Sequence, residues 1–284
     1  DSLVSVEARS GVSTGISAHA RATTLNTLAN TSTPRSDLLS PGHIFPVRAS
    51  RGGVLIRDTI WEAATDIMRL AGVKEVAAVV HLLNSSGELA NDDEVDAICS
   101  ENKWLRCRIS DVVEHRLRQE NVIERITETT LPLEGLGVFR TIAYRCNFDS
   151  SEHLALVYGD ISASDETLVR VQSEKRVNWI LDSAISPQKT MVHSALERIV
   201  AEGKGVFVMI RREDNQRLSR ELASLSEPQA HLISRSRRVR EYGIGAQILA
   251  DLSVKKLRLL VNNPVEISGL SIHGLEITEQ TRLV

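Results

Sequence analysis

The chain has little of several things that would narrow its class. Its 284 residues include three cysteines, three tryptophans, three tyrosines and four phenylalanines. Cys99, Cys107 and Cys146 are an odd, scattered set that draws no disulfide framework, so reduced thiols in a cytosol-like compartment are expected. An organelle stroma or matrix meets that condition equally well. No apolar run approaches the roughly 20 residues a membrane-spanning helix needs, and no secretory signal pattern opens the sequence. Charge of one sign is lacking too. Lys and Arg number 34 against 37 Asp and Glu, a net charge of −3 that gives no global pull toward nucleic acid or an anionic membrane. What remains is a globular composition, 42% apolar and 25% charged, long enough for roughly two domains.

No internal repeat or low-complexity tract divides the chain. The first fifty residues are rich in Ser, Thr and Ala, with turn signals at Thr33-Pro34 and Pro41-Gly42, and read as short strands and loops. Between Ile60 and Leu70 the residues Ile60, Ala63, Ala64, Ile67 and Met68 fall at helical spacing, and Gly72 ends the run. Val76 to Leu83 is an apolar stretch that reads as a buried strand. A helix over about Asp93–Glu101 follows, then a short strand around Leu105–Ile109, then a polar helix opened by Ser110-Asp111 and running to about Gln119. The charged stretch from Arg116 to Glu128 marks the boundary between a domain over 1–120 and one over 121–284.

Beyond that boundary Val138–Cys146, His153–Tyr158 and Thr167–Val171 are three strands at close intervals, which favours antiparallel pairing. Val192–Ala201 reads as a helix closed by Gly203, and Val206–Ile210 as a buried strand. The last sixty residues alternate helix and strand: Ile244–Leu252, Leu257–Val261, Val265–Leu270 and Leu275–Ile277. The fold class expected is α/β, mixed α+β, in both halves.

Two sets of residues carry more than fold. Ser40-Pro41-Gly42-His43-Ile44-Phe45-Pro46-Val47-Arg48, then Gly52-Gly53-Val54-Leu55, present a histidine on a turn with basic residues beside it. With Gly11-Val12-Ser13-Thr14-Gly15 upstream, this set resembles 3,4-dihydroxy-2-butanone 4-phosphate synthase. Tyr242-Gly243-Ile244-Gly245-Ala246-Gln247-Ile248-Leu249 and Lys256–Val261 with Asn262-Asn263-Pro264 resemble GTP cyclohydrolase II. The order matches the bifunctional riboflavin-biosynthesis fusion proteins, and the likeness covers nearly the whole chain. The wording of several segments is closer to plant-type fusions, which points to a plastid or other organelle.

The resemblance implies activities whose chemical residues are largely replaced. The synthases use a divalent cation to polarise sugar oxygens, held by carboxylate and imidazole. One such Glu comes from an acidic N-terminal loop, and this chain begins after the point where that loop should lie. A trimmed N-terminus is the alternative. The family's Gly-His-Thr-Glu segment aligns with Thr59-Ile60-Trp61-Glu62, so Ile60 takes the place of the metal-binding histidine and Trp61 that of a small phosphate-contacting threonine. A further Cys-Glu pair aligns with Val80-His81. Ser13, Thr14, His43 and Arg57 match substrate-pocket positions, and Glu62 matches a pocket carboxylate. The glycines beside them are equally accounted for by turn geometry. His81, alone in an apolar strand, is expected to be a hydrogen-bonded core residue; a metal site joining it to His43 is the alternative, and no neighbouring His, Cys or acid sits at ligand spacing.

In the second half the cyclohydrolases hold zinc through three cysteines. The aligned positions here are Lys175, Ser186 and Gln188, and an ammonium there would repel the cation. A phosphate-contacting Gly-Arg-Gly-Ile-Gly run is replaced by Glu213-Asp214-Asn215-Gln216-Arg217. Arg240 keeps the family's proposed nucleophilic position, but its acidic partner aligns with Arg238. Val261 stands at a threonine position, and Glu266 stands near a lysine position. Arg235, Arg237, Arg238 and Arg240 form a basic cluster read as a solvated face or as an anion or partner-protein surface. With nothing aromatic interleaved, nucleic acid is discounted.

The expectation is therefore a fold retained without its metals: no Mg or Zn site, and no catalytic residue beyond vestigial Glu62 and Arg240. Such a chain would serve as a structural or regulatory subunit, as a homodimer, with an active homologue or in a larger complex, since the family's shared-site dimer surface is a ready interface. The alternative is an altered sugar-phosphate enzyme using Ser13, Thr14, His43, Arg57 and Glu62.

Overall fold

The computed structural model describes residues 2–162, 166–174, 191–211, 235–262 and 273–283. The chain forms two compact units, Asp1–Val112 and Val113–Val284, so the division falls inside the polar helix that precedes the charged stretch. Among the described residues no helix is long and apolar enough to cross a membrane.

In the first unit β1 (Val6–Ala8) pairs antiparallel with β2 (Leu38–Ile44), with Val6 opposite Ile44 and Ala8 opposite Leu38. Helix α1 (Ala18–Ala29) lies in the segment expected to hold only strands and loops. Its composition hides it, because threonine and alanine leave no apolar stripe. What starts and seats the helix is polar: Ser17 Oγ accepts the Ala20 amide at 3.1 Å, an N-cap. The buried Thr24 hydroxyl accepts the Ala8 amide and donates to the Ala20 carbonyl, both at 3.1 Å, tying α1 to β1.

Helix α2 (Ile60–Leu70) has the span the spacing predicts, yet its buried face is different. Glu62, Ala63 and Asp66 are buried, while Ile60 and Ile67 are 38% and 36% exposed. The acids win that face because each meets donors there. Helix α3 (Asp92–Asn102) opens with a reciprocal capping box between Asn91 and Glu94 and closes at Lys103, whose φ is 57°.

Two expected strands are absent. Val76–Leu83 forms no ladder and is not buried: Val76, Val80 and Leu83 are 48%, 84% and 55% exposed. Leu105–Ile109 is coil leading into α4 (Ile109–Gln119), with Leu105 fully exposed. An apolar run becomes a strand only where a neighbouring strand supplies hydrogen bonds; among the described residues the first run has only an isolated bridge at its end, Leu83 to Leu89.

The second unit is built on a seven-stranded mixed sheet in the order β3-β4-β5-β7-β6-β8-β9. Its strands are β3 (Ile123–Leu133), β4 (Gly137–Cys146), β5 (Glu152–Tyr158), β6 (Glu166–Ser173), β7 (Gly205–Ile210), β8 (Lys256–Val261) and β9 (Glu276–Arg282). Most of the charged stretch expected to mark the domain boundary is thus the end of α4 and an edge strand. β3, β4, β5 and β7 run antiparallel, whereas β7, β6, β8 and β9 run parallel. The third expected strand, β6, does not follow β5 in the sheet. β7, buried at all six positions, inserts between them.

Helix α5 (Met191–Glu202) packs Ala195, Leu196 and Ile199 on Phe139, Leu156, Leu168 and Phe207 of the sheet. Helix α6 (Arg235–Asp251) starts nine residues before the predicted helix, because its first turns are arginines rather than apolar residues. The expected element at Val265–Leu270 lies outside the described residues.

Candidate functional site

The residues singled out in the first half do not converge on one point. Ser13 and Thr14 are exposed on the loop between β1 and α1, and neither side chain bonds to another described residue. His43, on β2, pairs its Nδ1 with Glu7 Oε2 at 2.9 Å. Gly15, at φ 75°, passes so close to that carboxylate that a Cβ would lie 1.6 Å from Glu7 Oε1. The glycine therefore protects the Glu7–His43 pair as well as making the turn.

Glu62 is the hub of a separate cluster. Its carboxylate accepts from the Ser50 amide at 3.0 Å, from Arg57 Nε at 2.9 Å and from the Thr59 hydroxyl. Burial alone would raise its pKa, but the hydrogen bonds from Arg57, Thr59 and Ser50 outweigh that and lower it to about 2. A carboxylate so held is neither a proton donor nor a base near neutrality. One turn on, Asp66 Oδ2 accepts the Val54 amide at 2.8 Å, and Arg69 lies 3.3 Å from its Oδ1. Both acids staple α2 to the preceding loop.

A cleft of about 720 Å³ opens beside this helix, lined by His43, Trp61, Arg48 and the segment after Glu75. It takes His43 from the predicted set but neither Arg57 nor Glu62. His81, expected in the core, is exposed in a stretch without a strand partner.

In the second unit, the carboxyl ends of the parallel strands β6, β7 and β8 meet α6, the usual place for a ligand in such sheets. Arg170 is buried there. It donates to the Leu260 carbonyl at 2.8 Å, to Asn262 Oδ1 at 2.9 Å and, more loosely, to Gln172 Oε1 at 3.4 Å. All are neutral acceptors, and burial lowers its pKa. Ser173 Oγ donates to Glu241 Oε2 at 2.6 Å, and Glu174 lies 3.5 Å from Arg211. Arg240 is half-buried on α6, with Arg235 and Arg238 exposed before it. Cations in the first turn oppose the helix dipole, so that turn is held by something other than its own charge.

One cluster escaped sequence reasoning. Cys146 Sγ lies 3.1 Å from His153 Nε2, both buried between β4 and β5, and the Arg211 amide donates to His153 Nδ1 at 3.1 Å. That bond places the ring proton on Nε2, facing the sulfur. Burial, with the Asp149 charge, raises the thiol to about 12; burial lowers the imidazole to about 4. The pair is neutral, not a thiolate–imidazolium nucleophile. Strand pairing sets His153 opposite Tyr144 and so diagonal to Cys146, and the only trace in sequence is a polar residue at an inward position of each strand.

The metals implied by the resemblance do not fit the residues present. Ile60 offers no lone pair, and among the described residues no group of three or more His, Cys, Asp or Glu is placed to hold an ion. Lys175, Ser186 and Gln188, at the zinc-cysteine positions, lie outside the described residues, as do Glu213–Arg217 and Glu266. None of the three is a thiolate donor.

Comparison with known proteins divides the chain in the same two parts. Residues 1–115 match the model of 3,4-dihydroxy-2-butanone 4-phosphate synthase, and residues 124–282 match that of GTP cyclohydrolase II. The chain is 37% identical to the riboflavin biosynthesis protein RibBA of Salinispora arenicola, over 99% of this chain and 69% of that protein. It is also 37% identical to RibBA of Bacillus mycoides, over 95% of this chain and 70% of that one. Among solved structures it is similar to RibBX of A. baumannii, described as a two-domain 3,4-dihydroxy-2-butanone 4-phosphate synthase. The TM-score is 0.79 at 29% identity, covering 99% of this chain and 75% of that one. Motifs, family models and relatives agree: the chain belongs to the riboflavin-biosynthesis fusion family, a 3,4-dihydroxy-2-butanone 4-phosphate synthase-like unit followed by a GTP cyclohydrolase II-like unit.

Proposed function

We propose that this chain is a member of its family that carries out neither metal-dependent reaction and acts as a structural or regulatory subunit of a larger assembly. One observation carries the reading most directly. Arg57 and Glu62, the charged residues that match synthase pocket positions around Ile60 and Trp61, are closed on each other and on the loop backbone. Groups so engaged serve the fold, with the Glu62 carboxylate wholly buried among its donors. The donor sets at both metal positions, Ile60 in one half and Lys175, Ser186 and Gln188 in the other, point the same way.

The test is an assay of the full chain with ribulose 5-phosphate and Mg²⁺, and separately with GTP and Zn²⁺. No 3,4-dihydroxy-2-butanone 4-phosphate and no GTP hydrolysis above a protein-free blank are expected. Turnover of either substrate overturns the reading.

A second reading, an altered sugar-phosphate enzyme, is favoured by the place of His43, which lines the cleft with Arg48 and is backed by Glu7. Isothermal titration with ribulose 5-phosphate would then show heat that His43→Ala diminishes. An absence of heat in both removes it.

A further inference from the structure

Strands β1 and β2 are paired at both ends but not between. Val6 lies opposite Ile44 and Glu7 opposite Leu39, so a single step along β1 spans Ser40 to His43 on β2. Those residues leave the ladder, and the chain rejoins it just after His43. An excursion of this kind bends a strand and re-aims the side chains it carries. Here it is pinned to β1. The Ser40 hydroxyl donates to the Ser5 carbonyl at 2.8 Å, and the Gly42 amide donates to Ser5 Oγ at 3.2 Å. Gly42 passes so close to β1 that a Cβ there would overlap the Val6 carbonyl. The backbone that carries His43 is therefore fixed against the strand that carries Glu7.

The two side chains meet at the end of that excursion, His43 Nδ1 lying 2.9 Å from Glu7 Oε2. A carboxylate only accepts, so in the neutral ring the hydrogen sits on Nδ1 and Nε2 keeps its lone pair. Nε2 makes no bond to another described residue. The Glu7 side chain is 14% exposed and that of His43 46%, and His43 lines the cleft with Arg48 and Trp61. The carboxylate thus lies on the inner side of the pair and the imidazole on the outer. Gly15 keeps this arrangement open, because a Cβ there would overlap the Glu7 carboxylate. That carboxylate is the free end of a flexible side chain, so a larger residue at 15 would displace it and leave the imidazole without its acceptor.

We propose that Glu7 is a positioning residue, which holds the hydrogen of His43 on Nδ1 and so presents Nε2 at the cleft as the acceptor of a ligand hydroxyl proton. The proton would pass from the hydroxyl to Nε2, and Glu7 would offset the charge of the imidazolium formed. Arg48, which lines the same cleft, suits an anionic group, so the ligand class is a hydroxylated anion such as a sugar phosphate. That class rests on the second reading above. The place of the hydrogen does not, because the pair is internal to β1 and β2 whatever else lines the cleft.

The test uses the full chain with isotope-labelled histidine, read by proton–nitrogen NMR at about pH 9, where an ordinary imidazole is neutral. His43 is expected with its hydrogen on Nδ1. Glu7→Leu removes the acceptor and should make the Nε2–H form the major one. Glu7→Gln, whose amide oxygen still accepts, should retain the Nδ1–H form, and Gly15→Ala should shift the ring as Glu7→Leu does. Calorimetric titration of the same chains with ribulose 5-phosphate should show binding weakened by about tenfold in Glu7→Leu and by less in Glu7→Gln. A hydrogen on Nε2 in the unaltered chain overturns the proposal, as does an Nδ1–H form that persists in a folded Glu7→Leu chain. An Nδ1–H form that persists in Gly15→Ala overturns the part given to Gly15. Binding that Glu7→Leu leaves unchanged overturns the role at the cleft. Absence of heat from an unaltered chain with its hydrogen on Nδ1 is the failure of the sugar-phosphate reading, whereas heat with the hydrogen on Nε2 is the failure of Glu7 alone.

Discussion

Gln247, on α6, donates through Nε2 to the carbonyl of Leu117 at 3.0 Å, joining residues 130 apart in sequence. The same amide donates to the Glu120 carbonyl at 2.8 Å, while its Oε1 accepts the Val122 amide at 2.8 Å. One buried side chain therefore satisfies backbone groups at the open end of α4 and just before β3.

Replacing Gln247 by Leu keeps the bulk and removes all three bonds to those backbone groups. A loss of about 2–4 kcal/mol in urea unfolding is expected, from the cost of buried unpaired groups. Gln247→Glu, which keeps the acceptor but loses both donor bonds and adds charge, should cost at least as much. A loss below about 1 kcal/mol for the leucine variant would show that water replaces the amide.

Gly243 sits one turn before Gln247 on the face packed against α4. A Cβ there would lie 2.5 Å from Leu117 Cδ1, and Leu117 is wholly buried. Gly243→Ala should destabilise the second unit by about 1–3 kcal/mol through overpacking. Adding Leu117→Ala should recover part of that loss, read as a favourable coupling in a double-mutant cycle. Strictly additive losses would contradict the contact.

Glu62 gives the first unit an acid-labile support. Its pKa is about 2 in the fold against an ordinary 4.5. A depressed carboxylate stabilises fully above the ordinary value and loses that contribution as pH falls through 4.5 toward 2. Glu62→Gln should flatten stability against pH in this window and lower stability at neutral pH. An unchanged acid limb in the variant would remove Glu62 from the account.

His153 acts at higher pH. Held near 4 against an ordinary 6.5, it contributes no pH dependence above 6.5, where both folded and unfolded states are neutral. As pH falls from 6.5 to 4 the unfolded chain takes up a proton that the folded one refuses, so stability declines, by about 3 kcal/mol at most. Titration of the ring signals by NMR should place its midpoint well below 6. A midpoint near 6.5 would mean the ring is open to water.

If the metal positions lack donors, millimolar Mg²⁺ or Zn²⁺ should leave the thermal midpoints of both units unchanged, because only a ligand that prefers the folded state raises them. A rise that EDTA reverses would identify a site.

How far the sequence could be read depended on the range of the interactions involved. The spans of α2, α3 and α5, and β7 as a buried strand, follow from residues within a turn or two: apolar spacing, Asn91 with Glu94, Gly203, an unbroken Val-Phe-Val run. Even so, α2 turned its acids inward, because the amides of Ser50 and Val54 and the guanidinium of Arg57 lie where spacing alone expects Ile60 and Ile67. Helix α1 carries no apolar periodicity, because Thr24 seats it through a bond to β1.

The candidate site divided similarly. Motif order sufficed to reach the family, and the replaced residues could be read one by one, since whether a side chain has a lone pair does not depend on its surroundings. That Arg57 is paired with Glu62, that Glu7 pairs with His43, and that Cys146 lies against His153 depended on the folded chain.

Sequence by itself determined composition class and family, because these belong to single side chains and local order. Tertiary structure alone decided which strand inserts between β5 and β6, which face of α2 is buried, and that Val76–Leu83 is left without a ladder. Each of those outcomes rests on a partner distant in sequence, and a hydrogen bond or buried charge has no meaning until the partner is in place.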